Sequence, residues 1–132
     1  MTGSASMLYS AHSKKSLDEI DAALNEAVAK QKFGIMMVHD LQATMQKKGV
    51  EFDKACKIYE VCNPHQAKRV LESNGAVSTA LPCRISVYEE GDGYQVATIL
   101  PSELMKVFGS PELEPVAKEV EVAVKAIIDD AA

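Results

Sequence analysis

Apolar positions recur along the chain with two periods, and their succession predicts an order of elements. Met7 to His12 reads as a first strand. Ser16 and Glu19 stand at the spacing of a capping box, and Leu17, Ile20, Leu24 and Val28 follow at three- and four-residue steps, which predicts a helix with one buried stripe. Phe33 to Val38 is apolar on both faces and too short for a helix, so it reads as a central strand. Asp40 is placed to cap a short helix carrying Leu41 and Met45, and Gly49 to stop it. A further strand from Ala55 to Val61 enters Cys62-Asn63-Pro64, where Asn63 suits a helix N-cap and Pro64 the first helical position. Ala67, Val70 and Leu71 supply that helix's inner face, and Asn74-Gly75 ends it.

From Cys83 the alternation is strict. Cys83, Ile85 and Val87 point one way and Arg84, Ser86 and Tyr88 the other; Gly91-Asp92-Gly93 turns the chain, and Tyr94 to Leu100 returns as a hairpin partner. Pro101 starts a short helix that Gly109 closes, and Ser110-Pro111 opens the last helix. In that helix Leu113, Val116, Ala117, Val120, Val124, Ile127 and Ile128 share one face. The sum is an α+β fold, in the order β-α-β-α-β-α-β-β-α-α, with a sheet of roughly five strands and helices packed mainly on one face. We expect a leader without structure over residues 1–6 and one α+β domain over 7–132.

Composition restricts the function more than it changes this picture. With 132 residues, 47% hydrophobic and 25% charged, the chain has one globular domain's worth of material and no apolar run long enough for a membrane span. A net charge of -5 repels phosphate backbones, so nucleic acid is not the expected partner. Three cysteines, an odd number without Cys-x-x-Cys pairing, fit a reducing, cytoplasmic compartment. Met36, Met37, Met45 and Met105 would give a soft, adaptable interior.

Five blocks carry a resemblance: Val38-His39-Asp40-Leu41-Gln42-Ala43-Thr44, Gly49-Val50-Glu51-Phe52, Ile58-Tyr59-Glu60-Val61-Cys62-Asn63-Pro64, Leu81-Pro82-Cys83-Arg84-Ile85-Ser86-Val87 and Gly109-Ser110-Pro111-Glu112-Leu113. In this order they resemble the domain-of-unknown-function family numbered 302, over nearly the whole chain after Ser6. The resemblance implies a small bacterial or archaeal α+β domain, often a homodimer, with cysteines matching Cys62 and Cys83. It implies no activity.

The residues that carry chemistry gather around one junction. Cys62 precedes a helix N-terminus, where free amide N–H groups and the positive end of the dipole favour a thiolate. Its place before a proline is similar to that of the cysteine in small sulfur-carrier proteins. The plainer reading makes Cys62 a small buried apolar residue and Asn63-Pro64 an ordinary cap. His65, three residues on, and Cys83 could join Cys62 in a soft metal site, or a cysteine or histidine could hold haem. His12 and His39 each end a strand and belong at the sheet's rim. Cys56 and Cys62 lie too far apart along one strand to bridge, whereas a Cys62–Cys83 disulfide requires neighbouring strand ends.

Three functions follow. The leading one is a small thiol-bearing binding or carrier domain, related to sulfur or redox chemistry, with Cys62, Asn63, Pro64, His65 and Cys83 as its ligand or thiol site. It expects an accessible Cys62 with a depressed pKa, and no catalytic residue is assigned. The second is a non-catalytic dimeric interaction or small-ligand domain that uses the stripe of the last helix or the strand from Phe33 to Val38. The third is a metal- or haem-binding protein with Cys62 and His65 as ligands, or His39 in their place. A binding role is expected before an enzymatic one.

Overall fold

The computed structural model describes residues 7–132, so the leader expected over residues 1–6 lies outside the described residues. Helix starts follow the capping chemistry written in the sequence. Helix α1 (Leu17–Lys30) opens on Ser16, whose Oγ accepts from the Glu19 N–H at 3.2 Å while Glu19 Oε1 accepts from the Ser16 N–H at 2.8 Å. Strand β2 (Gly34–Asp40) passes directly into α2 (Leu41–Lys47), capped by Asp40 and followed by Gly49 at φ 76, a left-handed conformation that favours glycine.

Strand β1 is Leu8–Ser13, β3 is Cys56–Cys62, β4 is Cys83–Glu90 and β5 is Gly93–Ile99; all pairs are antiparallel, in the order β1-β5-β4-β3-β2. At the β4–β5 turn, a Cβ on Gly93 would collide with the Ser13 carbonyl of β1, so only glycine permits this approach of three strands. Helix α3 (Pro64–Ser73) is followed by a 3₁₀ turn (Gly75–Ala80) that the periodicity did not announce. Helix α4 (Pro101–Met105) runs into a 3₁₀ turn (Lys106–Phe108). A further 3₁₀ turn (Pro111–Leu113) leads to α5 (Glu114–Ala131).

Residues opposite one another in register share a sheet face. The pairs Tyr59–Ile85 and Val87–Val96 therefore build one apolar face, which α1 and α5 cover with Ile20, Leu24, Val124, Ile127 and Ile128. Each of those five side chains has no exposure and contributes about 1.5–3 kcal/mol by burial. Tyr59 is also fully buried; its hydroxyl donates to Asp21 Oδ1 at 2.7 Å, and burial with this bond raises its pKa. The stripe of the last helix is thus consumed within the fold and is not a docking surface.

Two expectations need correction. The strand read as central, Phe33 to Val38, is an edge, because β2 pairs only with β3. Its apolar side chains are left largely uncovered at this edge: Met36 and Met37 at the register shift, and Val38 opposite Tyr59, are 64%, 53% and 41% exposed. A register shift between Ile35 and Met37 bulges this edge, a device that discourages further strand pairing. For the same reason Met36 and Met37 do not form part of a soft interior.

Candidate functional site

Strand pairing decides which of the candidate residues meet. Val61 lies opposite Cys83, so Cys62, the last residue of β3, ends one step from the first residue of β4. Both cysteines are free thiols, and both line a cavity of about 40 Å³ under α3, α4 and α5. Gln66, Ala67, Val70, Met105 and Val120 complete most of an apolar wall. Cys62 also lines a broad open groove between β2 and α3, beside Met36 and Leu71, and so separates the groove from the cavity.

Asn63 does at the helix start what the sequence requires of it. Its Oδ1 accepts from the N–H groups of His65 at 3.0 Å and Gln66 at 3.2 Å, its carbonyl accepts from the N–H of Ala67, and Pro64 has no N–H to offer. The first turn is therefore satisfied by Asn63 before Cys62 can draw on it. Burial pushes the Cys62 thiol up, the opposite of the depression expected from a bare helix N-terminus. Cys83, more deeply placed, is pushed up to about 11, first by burial and then by the proximity of Cys62. Cys56, at the far end of β3, is also raised, by burial and by Asp40.

His65 does not join the two cysteines. It is exposed on α3 and is not among the residues lining the cavity. The cause is helical geometry, since the inward positions of α3 are Gln66, Ala67 and Val70. Among the described residues no three of His, Cys, Asp and Glu converge to hold a metal ion. About 40 Å³ is also far below the roughly 300 Å³ at which small-molecule sites begin, and leaves no room for a tetrapyrrole. His12 and His39 lie on opposite edge strands: His12 bonds Asp92 at 3.0 Å, and His39 meets Glu60 at 3.3 Å.

Gln66 joins the site although its place in the sequence did not single it out. Its Oε1 is buried without a hydrogen-bond partner among the described residues. Glu119 of α5 faces the same turn. Its carboxyl is held below the usual range first by Arg69, bonded at 2.9 and 3.3 Å, with the Gln66 amide among the further contributors. Amide nitrogen towards Glu119 leaves amide oxygen on the buried side. Its local trace is a spacing: Gln66 precedes Val70 by four residues, a polar side chain on a helix's apolar stripe.

The family described as Domain of unknown function DUF302 matches residues 9–131. No curated protein matches the chain. Among solved structures, the chain is similar to the crystal structure of an uncharacterized conserved DUF302 protein from Bacillus stearothermophilus. The two share 28% identity at a TM-score of 0.91, over 96% of this chain and 98% of that one. A five-stranded antiparallel sheet backed by helices, with its cysteines at the ends of two paired strands, accordingly belongs to the DUF302 family.

Proposed function

We propose that the protein is a small-ligand-binding domain in which Cys62 and Cys83 act as neutral thiols, not as thiolate nucleophiles, lining a small cavity that receives only a terminal group of a ligand whose bulk lies in the adjoining space. The observation that carries this reading is the placement of both thiols on one apolar cavity, where burial raises both pKa values and Asn63 already occupies the amides that would have stabilised a thiolate. A neutral thiol is a soft, polarizable wall with a weak S–H donor. The buried Gln66 oxygen calls for one donor from whatever enters, since leaving an acceptor unpaired costs about 1–3 kcal/mol.

Native and denaturing mass spectrometry of the protein as isolated, followed by iodoacetamide labelling of Cys62 from pH 5 to 9, tests it. A non-covalent adduct lost on denaturation, with Cys62 alkylated only slowly below pH 9, supports the binding reading. Sulfur mass that survives denaturation, together with rapid labelling near neutrality, would instead support the thiol-carrier reading. A bound metal or haem in the native spectrum would support the third.

Homodimer formation is a second reading, favoured by the exposed apolar residues of the β2 edge and the groove beside α3. Sedimentation of wild type beside Met36→Lys tests it: a dimer that the substitution converts to monomer is expected, and a monomer at high concentration excludes it.

A further inference from the structure

A second and larger cavity, about 280 Å³, lies on the other side of Cys83, Pro101 and Met105, which line both spaces. It is enclosed by the Thr79–Pro82 segment, the paired ends of β4 and β5, and the turn after α4. Leu104, Val107 and Phe108 give it an apolar wall. Arg84 is the one charged residue lining it. Among the described residues, the only ion pair of Arg84 is a loose one, Nε to Glu60 Oε2 at 3.8 Å, with its side chain 66% exposed. That contact leaves the two terminal nitrogens of the guanidinium, which form a bidentate fork, for another acceptor. Thr79 and Thr98 use their hydroxyl protons on the carbonyls of Ala76 and Arg84, which leaves their oxygens as acceptors only.

We infer that this cavity binds an aliphatic monocarboxylate, with the carboxylate on Arg84 and the hydrocarbon chain along Leu104, Val107 and Phe108. Charge complementarity selects the head: a planar carboxylate matches the guanidinium fork, and there is no second cation on the wall to hold a phosphate dianion. Shape and lining select the tail, since 280 Å³ is at the lower limit of small-molecule sites and its walls are mainly aliphatic and aromatic. The shared wall at Met105, an unbranched and adaptable side chain, places the chain's far end next to the cavity of Cys62 and Cys83. The inference rests on the small-ligand reading above and names the ligand class.

Titration of the full chain with octanoate, octanol and inorganic phosphate, followed by amide chemical shifts, tests it. Octanoate is expected to shift residues 79–84 and 98–108 and to bind about ten- to a hundred-fold more tightly than octanol, the value of a charge-assisted hydrogen bond. Arg84→Gln, at an exposed position, should bring octanoate down to the affinity of octanol and leave octanol unchanged. Equal affinities for the two, an unaltered octanoate affinity in Arg84→Gln, stronger binding of phosphate than octanoate, or shifts confined to the β2 edge would each overturn the inference. If octanoate fails while the isolated protein still carries another non-covalent adduct, the ligand class is wrong and the binding reading stands. Failure of both removes both.

Discussion

The two apolar clusters of this protein are packed to different ends. The larger, between the sheet and helices α1 and α5, contains Ile20, Leu24, Tyr59, Ile85, Val87, Val96, Val124, Ile127 and Ile128, all without exposure. The smaller, at the junction of α3, α4 and the start of α5, has four buried residues, Val70, Val77, Leu113 and Val116. Both cavities described above, and the groove at Cys62, lie at this second end. One region fills its space and fixes the fold. The other leaves space unfilled, and the residues with chemistry to offer, Cys62, Cys83, Gln66 and Arg84, are gathered there. Burial without complete filling is the condition a binding site requires.

The same truncation in the two regions should separate them most. Leu24→Ala in the main core is expected to cost about 4–5 kcal/mol, and Leu113→Ala about 2–3 kcal/mol, because surroundings that are already loose can collapse further around the lost atoms. Urea unfolding at constant m-value measures both, and equal losses would erase the distinction.

Cys83 offers the next test. Folding favours its protonated thiol, so the stabilisation is fully present below the ordinary thiol value of 9.0 and is lost as pH rises through about 11. The amount is on the order of 3 kcal/mol. Wild type should therefore lose more stability than Cys83→Ala between pH 9 and pH 11, and parallel pH profiles for the two would show that the thiol's burial is of no consequence.

Overpacking sharpens the comparison by sign. Ala27→Val, in the filled core, should destabilise by about 1–3 kcal/mol, whereas Ala117→Val, on the wall of the small cavity, should be neutral or stabilise by up to about 1 kcal/mol. Thermal unfolding reads the difference, and destabilisation at both sites would mean that the cavity offers no usable room. The smallest expected effect is at the junction itself: Asn63→Ala removes the cap and should cost about 1 kcal/mol. With the amides of His65 and Gln66 released, Cys62 should then be alkylated faster at neutral pH than in wild type, and an unchanged rate would detach Cys62 from the helix start.

Much of this was legible along the chain because it depends on near neighbours. The Ser16–Glu19 capping box, the Asp40 and Asn63 caps, the hairpin at Gly91-Asp92-Gly93 and the inward stripe of the last helix all formed as the spacing required. Such features involve hydrogen bonds or periodicities spanning a few residues, and local chemistry is sufficient to specify them.

Strand order is different. Whether an apolar run on two faces becomes a central strand or an exposed edge is settled by what the rest of the chain brings beside it, and Phe33 to Val38 carries no mark of that. His65 shows the same division at the scale of one side chain: its spacing from Cys62 suggested a shared site, but the helix turned it to solvent and turned Gln66 inward. The elements, their caps and the junction at Cys62-Asn63-Pro64 follow from residues close together along the chain. Folding set Cys83 beside Cys62, half-buried both thiols and left space around them. Proximity across strands and the cost of desolvating a charge belong to surroundings assembled from distant parts of the chain.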